Sequence, residues 1–282
     1  MTRPFQLNLF RPEQTRLYNH DFPSTRYQGS KRKLIEWIWA NVETLSFETV
    51  LDVFGGTGAV SHLFKTAGKQ VTYNDLMAFN HQIGLALIEN STQLLTEDDI
   101  ANILSIDSKV SYPRLIQDTF SGIYYTDHEN IWLDRIIYNI NHRLDNSYKQ
   151  SIARFALYQA CIVKRPYNLF HRANLYMRLS NVQRSFGNKI TWDTPFETHF
   201  RNFAKEANIA IFDNNQVNQA IREDALNTPV GADLVYIDPP YLNNKGIGVD
   251  YHEFYHFLEG MTDYNSWTIH IDHQSKHKRL IK

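Results

Sequence analysis

The sequence predicts an α/β fold, a sheet with helices packed on it and a long insertion before its last predicted strand. Three observations carry that prediction. Thr49 to Phe54 is a short apolar run, followed by Gly55-Gly56-Thr57-Gly58 and then by Ala59, Val60, Leu63 and Phe64 at helical spacing. This strand, glycine turn and helix form the nucleotide-binding opening of a doubly wound fold. Lys69 to Tyr73 reads as a second strand, ending at Asn74-Asp75. Asp233 to Ile237 reads as a buried strand that must stop at Pro239-Pro240, because proline cannot donate to a sheet.

Composition bounds the rest. The chain has 282 residues, 43% of them apolar, with 17 Phe and 16 Tyr, so it has material for a real core and is not disordered. No apolar run reaches the roughly 18 residues of a membrane span, and Met1 to Asn19 has no apolar signal region. The single cysteine, Cys161, gives neither a disulfide framework nor a thiol metal cluster, and a cytoplasmic protein is expected. A net charge of −1 argues against a nonspecific nucleic-acid coat. The charge is uneven, however. Ala160 to Lys205 holds eight Lys or Arg (164, 165, 172, 178, 184, 189, 201 and 205) against two acids, so it carries +6 and the remainder about −7. Such a segment reads as a local polyanion contact.

In chain order, Met1 to Thr25 is a polar arm. Arg26-Tyr27-Gln28-Gly29-Ser30-Lys31 is a loop entering a helix marked by Leu34, Ile35, Ile38 and Val42, with Ser30 a candidate N-cap. Lys31 in the first turn either points to solvent or pairs with an anion. The glycines after Phe54 let a ligand approach the backbone, but their spacing does not match the full dinucleotide fingerprint. An adenosine ligand other than NAD fits better. Asp75 lies 20 positions after Gly55, where an acid binds ribose hydroxyls or starts an Asx turn. After Leu85 the strand rhythm stops. Leu133, Ile136, Ile137, Ile140 and Leu144 form one helical stripe, and Ile152, Phe155, Ala156, Ala160 and Val163 another. A basic, aromatic-rich block follows, from Lys164 and Arg165 through Arg172 and Arg178, fitting phosphate contacts with base readout or a solvated insertion. Ile209 to Phe212 and Ala220 to Arg222 are candidate strands. His270, His273 and His277 read as an exposed tail, and no metal site is expected.

Asp238-Pro239-Pro240-Tyr241 is the most distinctive stretch. It presents a carboxylate and an aromatic ring at the carboxyl end of a strand, where open α/β sheets bind ligands. The carboxylate accepts a hydrogen bond from an exocyclic amine, the Pro239 carbonyl offers a second acceptor, and Tyr241 offers a stacking face. That combination suits a methyl-acceptor site for an amino group. The plain alternative is a Pro-Pro turn with a surface aspartate.

With Tyr27-Gln28-Gly29-Ser30-Lys31, Asp52-Val53-Phe54-Gly55-Gly56-Thr57-Gly58, Asn74-Asp75 and Asp238-Pro239-Pro240-Tyr241 in this order, the chain resembles the D12 class of DNA adenine methylases from about Arg26 to Met261. The resemblance implies a Rossmann-like S-adenosylmethionine-dependent methyltransferase fold with an inserted, mostly helical target-recognition domain. Residues 22–84 and 224–282 would form the catalytic domain and residues 85–223 the insertion. It implies S-adenosylmethionine as donor. Tyr27 and Lys31 would close on it, Lys31 meeting its carboxylate. Phe54, Gly55, Gly56 and Gly58 would belong to the turn around its methionine part, with Asp52 the acid that starts this cofactor-binding motif; Asp75 would hold the ribose and Asp224 would read the adenine amine. Asp238, Pro239, Pro240 and Tyr241 would form the acceptor site. Lys164, Arg165, Arg172 and Arg178 are the expected contacts to double-stranded DNA, and a cognate restriction endonuclease is an expected partner. No membrane is implied.

The expected reaction is methyl transfer to the N6 amino group of a flipped-out adenine, without a covalent enzyme intermediate. A cytosine-C5 mechanism would need a thiol nucleophile, and Cys161 sits in a helical pattern as an inert core residue. Only 41 residues follow Tyr241. Tyr251 to Met261 supplies a helix and Trp267 to Ile271 at most one short strand, so a further segment or a second chain is expected to complete the sheet. Two other readings stand beside this one: an amino-methyltransferase of ribosomal RNA, and a DNA-recognition chain whose catalytic half is incomplete.

Overall fold

Thr49–Asp52 forms β1, Gln70–Asn74 β2, Gln219–Ile221 β3 and Leu234–Tyr236 β4. They make one parallel sheet in the order β3-β2-β1-β4. The computed structural model describes residues 21–180, 189–241 and 248–281. Arg184 and the first part of the amino-terminal arm lie outside the described residues. In β1, Asp52 lies opposite both Tyr73 of β2 and Tyr236 of β4. Parallel register therefore brings the residues that follow these three strands to one edge of the sheet. The chain runs outward from β1 to β2 to β3, then returns to the other side of β1 as β4. A ligand crevice is expected at that reversal.

The expected helix after the glycine turn is α2 (Ala59–Thr66). The helix before β1 is α1 (Ile35–Val42), reached through one 3-10 turn at Arg32–Leu34. Ser30 is not the cap of α1. Its hydroxyl lies 3.5 Å from the Arg32 amide, on the 3-10 turn. After β2 comes α3 (Ala78–Gly84), which continues without a break as a π turn at Leu85–Glu89.

The long middle segment is helical: α4 (Glu97–Leu104), α5 (Leu115–Thr119), α6 (Asp127–Arg143), α7 (Ser147–Val163), α8 (Leu175–Leu179), α9 (Lys189–Asp193) and α10 (Phe196–Ala210). Thr96 with Asp99 and Thr126 with Glu129 form capping boxes that start α4 and α6, and Asn146 caps α7. Both helical stripes expected from the sequence are buried, one on α6 and the Leu144 that ends it, the other on α7. Twelve of the 17 residues of α7 are buried, the mark of a helix covered on nearly every side. It packs against α10, α3 and α6.

This packing alters the expected organisation. The boundary at residue 85 falls within a continuous helix, and β3, inside the expected insertion, belongs to the sheet. One hydrophobic cluster runs from Val50 and Val71 in the sheet through Phe155 on α7 and Phe200 on α10 to Phe257. The middle helices thus share the core of the sheet.

The carboxyl-terminal part departs further from expectation. The helix α11 (Tyr251–Thr262) is present, but Trp267–His270 is a 3-10 turn rather than a strand. Ile271 makes one antiparallel bridge with Leu280. Ile209 to Phe212 is not a strand either, because α10 runs to Ala210. The β4 strand was expected to be buried, yet Val235 is 46% and Ile237 64% exposed. Among the described residues β4 pairs only with β1, so it is an edge strand. His277 is not in an exposed tail: its ring packs 5.6 Å from that of buried His256, and its carbonyl accepts from the Tyr124 hydroxyl.

Candidate active site

A cavity of about 560 Å3 opens at the carboxyl edge of the sheet, between β1 and β4. Five stretches wall it: 27–31, the turn after β1, 75–77, 238–241 and 248–252. Tyr27, Lys31, Asp52, Phe54, Gly55, Gly56, Asp75 and Asp238 to Tyr241 all lie on it. Gly58 stands just behind, in the left-handed conformation (φ 77°) that opens α2. Asp224 is not on the wall. It is exposed, and its carboxylate accepts from the Leu226 amide to cap a 3-10 turn at Ala225–Asn227.

The turn after β1 is shaped by a residue that sequence reasoning passed over. Tyr73 on β2 is wholly buried, and a Cβ on Gly55 would lie 2.1 Å from its ring. Only glycine fits there. The Tyr73 hydroxyl reaches the carbonyls of Gly56 at 2.8 Å and Asn80 at 3.0 Å, fixing the turn against α3.

Asp52 is buried, and its Oδ2 accepts from the Ser61 hydroxyl at 2.7 Å. Its Oδ1 is buried and has no side-chain hydrogen-bond partner. Burial pushes its pKa up to about 7, with Asp75 adding to the rise and the Ser61 hydroxyl and the Phe54 backbone amide opposing it. Asp75 accepts from the amides of Gly56 and Met77, both at 2.9 Å, and from Asn80 Nδ2 at 3.1 Å. Burial raises its pKa to about 6 against those hydrogen bonds.

Asp238 is held from two sides. The Tyr241 hydroxyl donates to its Oδ1 at 2.7 Å, and the Lys31 ammonium pairs with its Oδ2. Lys31 also donates to the Gly29 carbonyl at 3.1 Å and lies 5.1 Å above the Tyr241 ring. Burial works against the ammonium, but Asp238 and Tyr241 outweigh it and hold Lys31 above the ordinary lysine range.

The fifth wall was also missed. Tyr27 stacks on Tyr255 of α11 (4.6 Å between centroids) and on Tyr251 (5.6 Å). The Tyr255 hydroxyl accepts from the Gln28 amide at 2.8 Å. At the far end of α11, Glu259 accepts from the amides of Ala78 and Phe79 at the start of α3. The readable signal was a pair of tyrosines four residues apart on the helix following the Pro-Pro turn.

Comparison with known proteins decides the family. The model of the D12 class N6 adenine-specific DNA methyltransferase matches residues 27–277. The chain belongs to this family. Among its relatives, Type II methyltransferase M2.HphI of Haemophilus parahaemolyticus is 33% identical over 248 residues, covering 86% of this chain and 71% of that protein. Modification methylase StsI of Streptococcus sanguinis is 27% identical over 282 residues, 91% of this chain and 41% of its own. Type II methyltransferase M.NlaIII of Neisseria lactamica is 24% identical, with 80% of this chain and 66% of that protein covered. No solved structure gives a significant match.

Within this D12-class methyltransferase, three of the four residues expected on DNA phosphates are core residues. Lys164, Arg165 and Arg178 are 2%, 1% and 5% exposed. Glu129 pairs with Lys164 at 3.0 Å and with Arg178 at 2.7 Å. Arg165 lies against the rings of Tyr124 and Phe170 and donates to the carbonyls of Leu169, Tyr124 and Arg172. Cations held this way present nothing to a phosphate, and the basic count overstated the positive surface. Arg172 is exposed. Cys161 is buried and its thiol is pushed up by that burial, so it has no nucleophilic role. No helix among the described residues is long and apolar enough to cross a membrane, and no cluster of His, Cys, Asp and Glu among them is arranged to hold a metal.

Proposed function

We propose that the cavity between β1 and β4 binds S-adenosylmethionine in a Rossmann-like arrangement, and that Asp238 to Tyr241 receive the amino group of a flipped adenine. One observation carries this reading: three carboxylates, from the ends of β1, β2 and β4, converge on one cavity in a chain of this family. The wall also fits the ligand's charge. Asp52, Asp75, Asp238 and Asp250 line it, with Lys31 the one Lys or Arg among the described lining residues. A molecule carrying a sulfonium, an ammonium and one carboxylate complements that balance.

When bound, the donor supplies a methyl group on positively charged sulfur. The chain supplies position. Asp238 accepts a hydrogen bond from the target amine, favouring a more tetrahedral nitrogen. Tyr241, 56% exposed at the cavity mouth, offers its ring to a base rotated out of the duplex. Of the four basic residues expected on DNA, exposed Arg172 is the one whose side chain is open to a phosphate contact. The Type II names of the relatives favour a methylase of a restriction-modification system, with a cognate endonuclease as partner.

Tritiated methyl transfer to duplex DNA, with nucleoside identification after digestion, tests this proposal. N6-methyladenine is the expected product. Label only in RNA would favour the ribosomal reading. DNA binding with neither donor binding nor transfer would favour a recognition-only chain.

A further inference from the structure

We infer that Lys31 is a positioning residue shared between two anions, Asp238 and the carboxylate of the bound donor, so that donor binding draws Lys31 away and opens Asp238 to the target amine. The inference rests on the donor site proposed above.

Asp238 is the residue that must meet the amine, yet both of its oxygens are engaged within the chain, by Tyr241 and by Lys31. The pair is largely shielded from water, with side chains 15% and 19% exposed. Lys31 also faces the cavity, where it is the one Lys or Arg among the described lining residues, among four aspartates. A carboxylate entering that wall has no other described full positive charge to meet. Its interaction with Lys31 then competes with the existing pair.

The local build suits such an exchange. The backbone beneath Lys31 is fixed by the Tyr27 stack and by the Gln28 amide on Tyr255. Gly29, at φ 84°, makes the turn. The flexible lysine stem is the part free to move, and an ammonium has no fixed fork to lose. Functionally, the two binding events are coupled: a base is captured well only when a donor is in place.

Calorimetry with two ligands tests this without any turnover. S-adenosylhomocysteine carries the donor's carboxylate, and 5′-methylthioadenosine lacks it. Lys31→Met should weaken S-adenosylhomocysteine by about tenfold and leave methylthioadenosine unchanged. Asp238→Asn should tighten S-adenosylhomocysteine by about three- to fivefold, because Lys31 no longer has to leave a carboxylate. In the Lys31→Met background, Asp238→Asn should have no effect. Loss of the tightening in the single variant overturns the inference. So does tightening that persists without Lys31, which would mean direct repulsion between the two carboxylates. An unchanged S-adenosylhomocysteine affinity in Lys31→Met overturns it while leaving the donor site standing. If the parent binds neither ligand, the donor-site proposal fails and takes this inference with it.

Discussion

Glu129→Gln separates a buried charge cluster from a DNA-binding face. In the structure, Glu129 Oε1 lies 3.0 Å from Lys164 and 2.7 Å from Arg178 Nη2, while Oε2 takes Arg178 Nη1 at 3.0 Å and the Thr126 amide at 2.9 Å. Burial opposes charge on both sides of this cluster. For Glu129, the two cations outweigh burial and hold the carboxyl below its usual range; for Lys164, burial outweighs the carboxylate and lowers the ammonium. Glutamine keeps the shape but leaves two buried cations without a counter-charge. Breaking a buried pair from one side costs about 3–5 kcal/mol. The carboxylate is 16% exposed, so the lower end applies. At roughly 2–4 °C per kcal/mol for a chain of this size, the melting temperature should fall by about 6–12 °C. Thermal unfolding followed by circular dichroism measures this. The salt slope of DNA binding, read at a temperature where the variant is folded, should stay unchanged, whereas Arg172→Gln should lower it by about one unit. A melting temperature within a degree of the parent, together with a changed salt slope in Glu129→Gln, would refute the reasoning and return Lys164 and Arg178 to the DNA surface.

Asp238→Ala should lower methyl transfer at least about 100-fold without weakening donor binding, since the turn rests on the prolines and loss of the carboxylate frees Lys31; comparable rates would move the catalytic centre elsewhere. Gly55→Ala sets a methyl 2.1 Å from the Tyr73 ring and should abolish donor binding, and a variant that binds normally would show that the turn can shift. Asp52 and Asp75 titrate near 7 and 6 when folded, above the unfolded value. The folded chain therefore binds more protons over that window, and the stability these groups contribute is full below about pH 4 and lost as pH rises to about 7. A cationic donor analogue should bind more tightly over pH 5.5–8 as the two acids ionise, and a flat calorimetric profile would remove them from the ligand's surroundings.

The sequence was most readable where local chemistry is strict. Consecutive prolines must end β4, and the glycines after Phe54 must form a turn, so the carboxyl edge of the sheet was legible. So were Asp52, Asp75 and Asp238, because parallel strands align their ends. The basic segment was misleading because charge says nothing of burial: Glu129, 35 positions before Lys164, is the partner that carries it into the core. Asp224 was placed by order along the chain, and order does not fix which way a loop side chain turns. Tyr73 could not be singled out, since its role depends on glycines at 55 and 84 meeting across its ring. The insertion boundary was drawn where strands stop, but α3 continues through it because Ala86, Leu87 and Ile88 have a core to enter.

The helix α11 has a consequence for dissecting the chain. A fragment ending at Tyr241 would keep every sequence motif of the site, from Gly29 to the Pro-Pro turn. It would still lose the Tyr251 and Tyr255 rings beneath Tyr27 and the Glu259 carboxylate that caps α3 beside Asp75. The site is therefore indivisible at that point. Such a fragment should take up donor only when a peptide carrying residues 248–281 is added back, much as a lock needs its back plate before the key will turn.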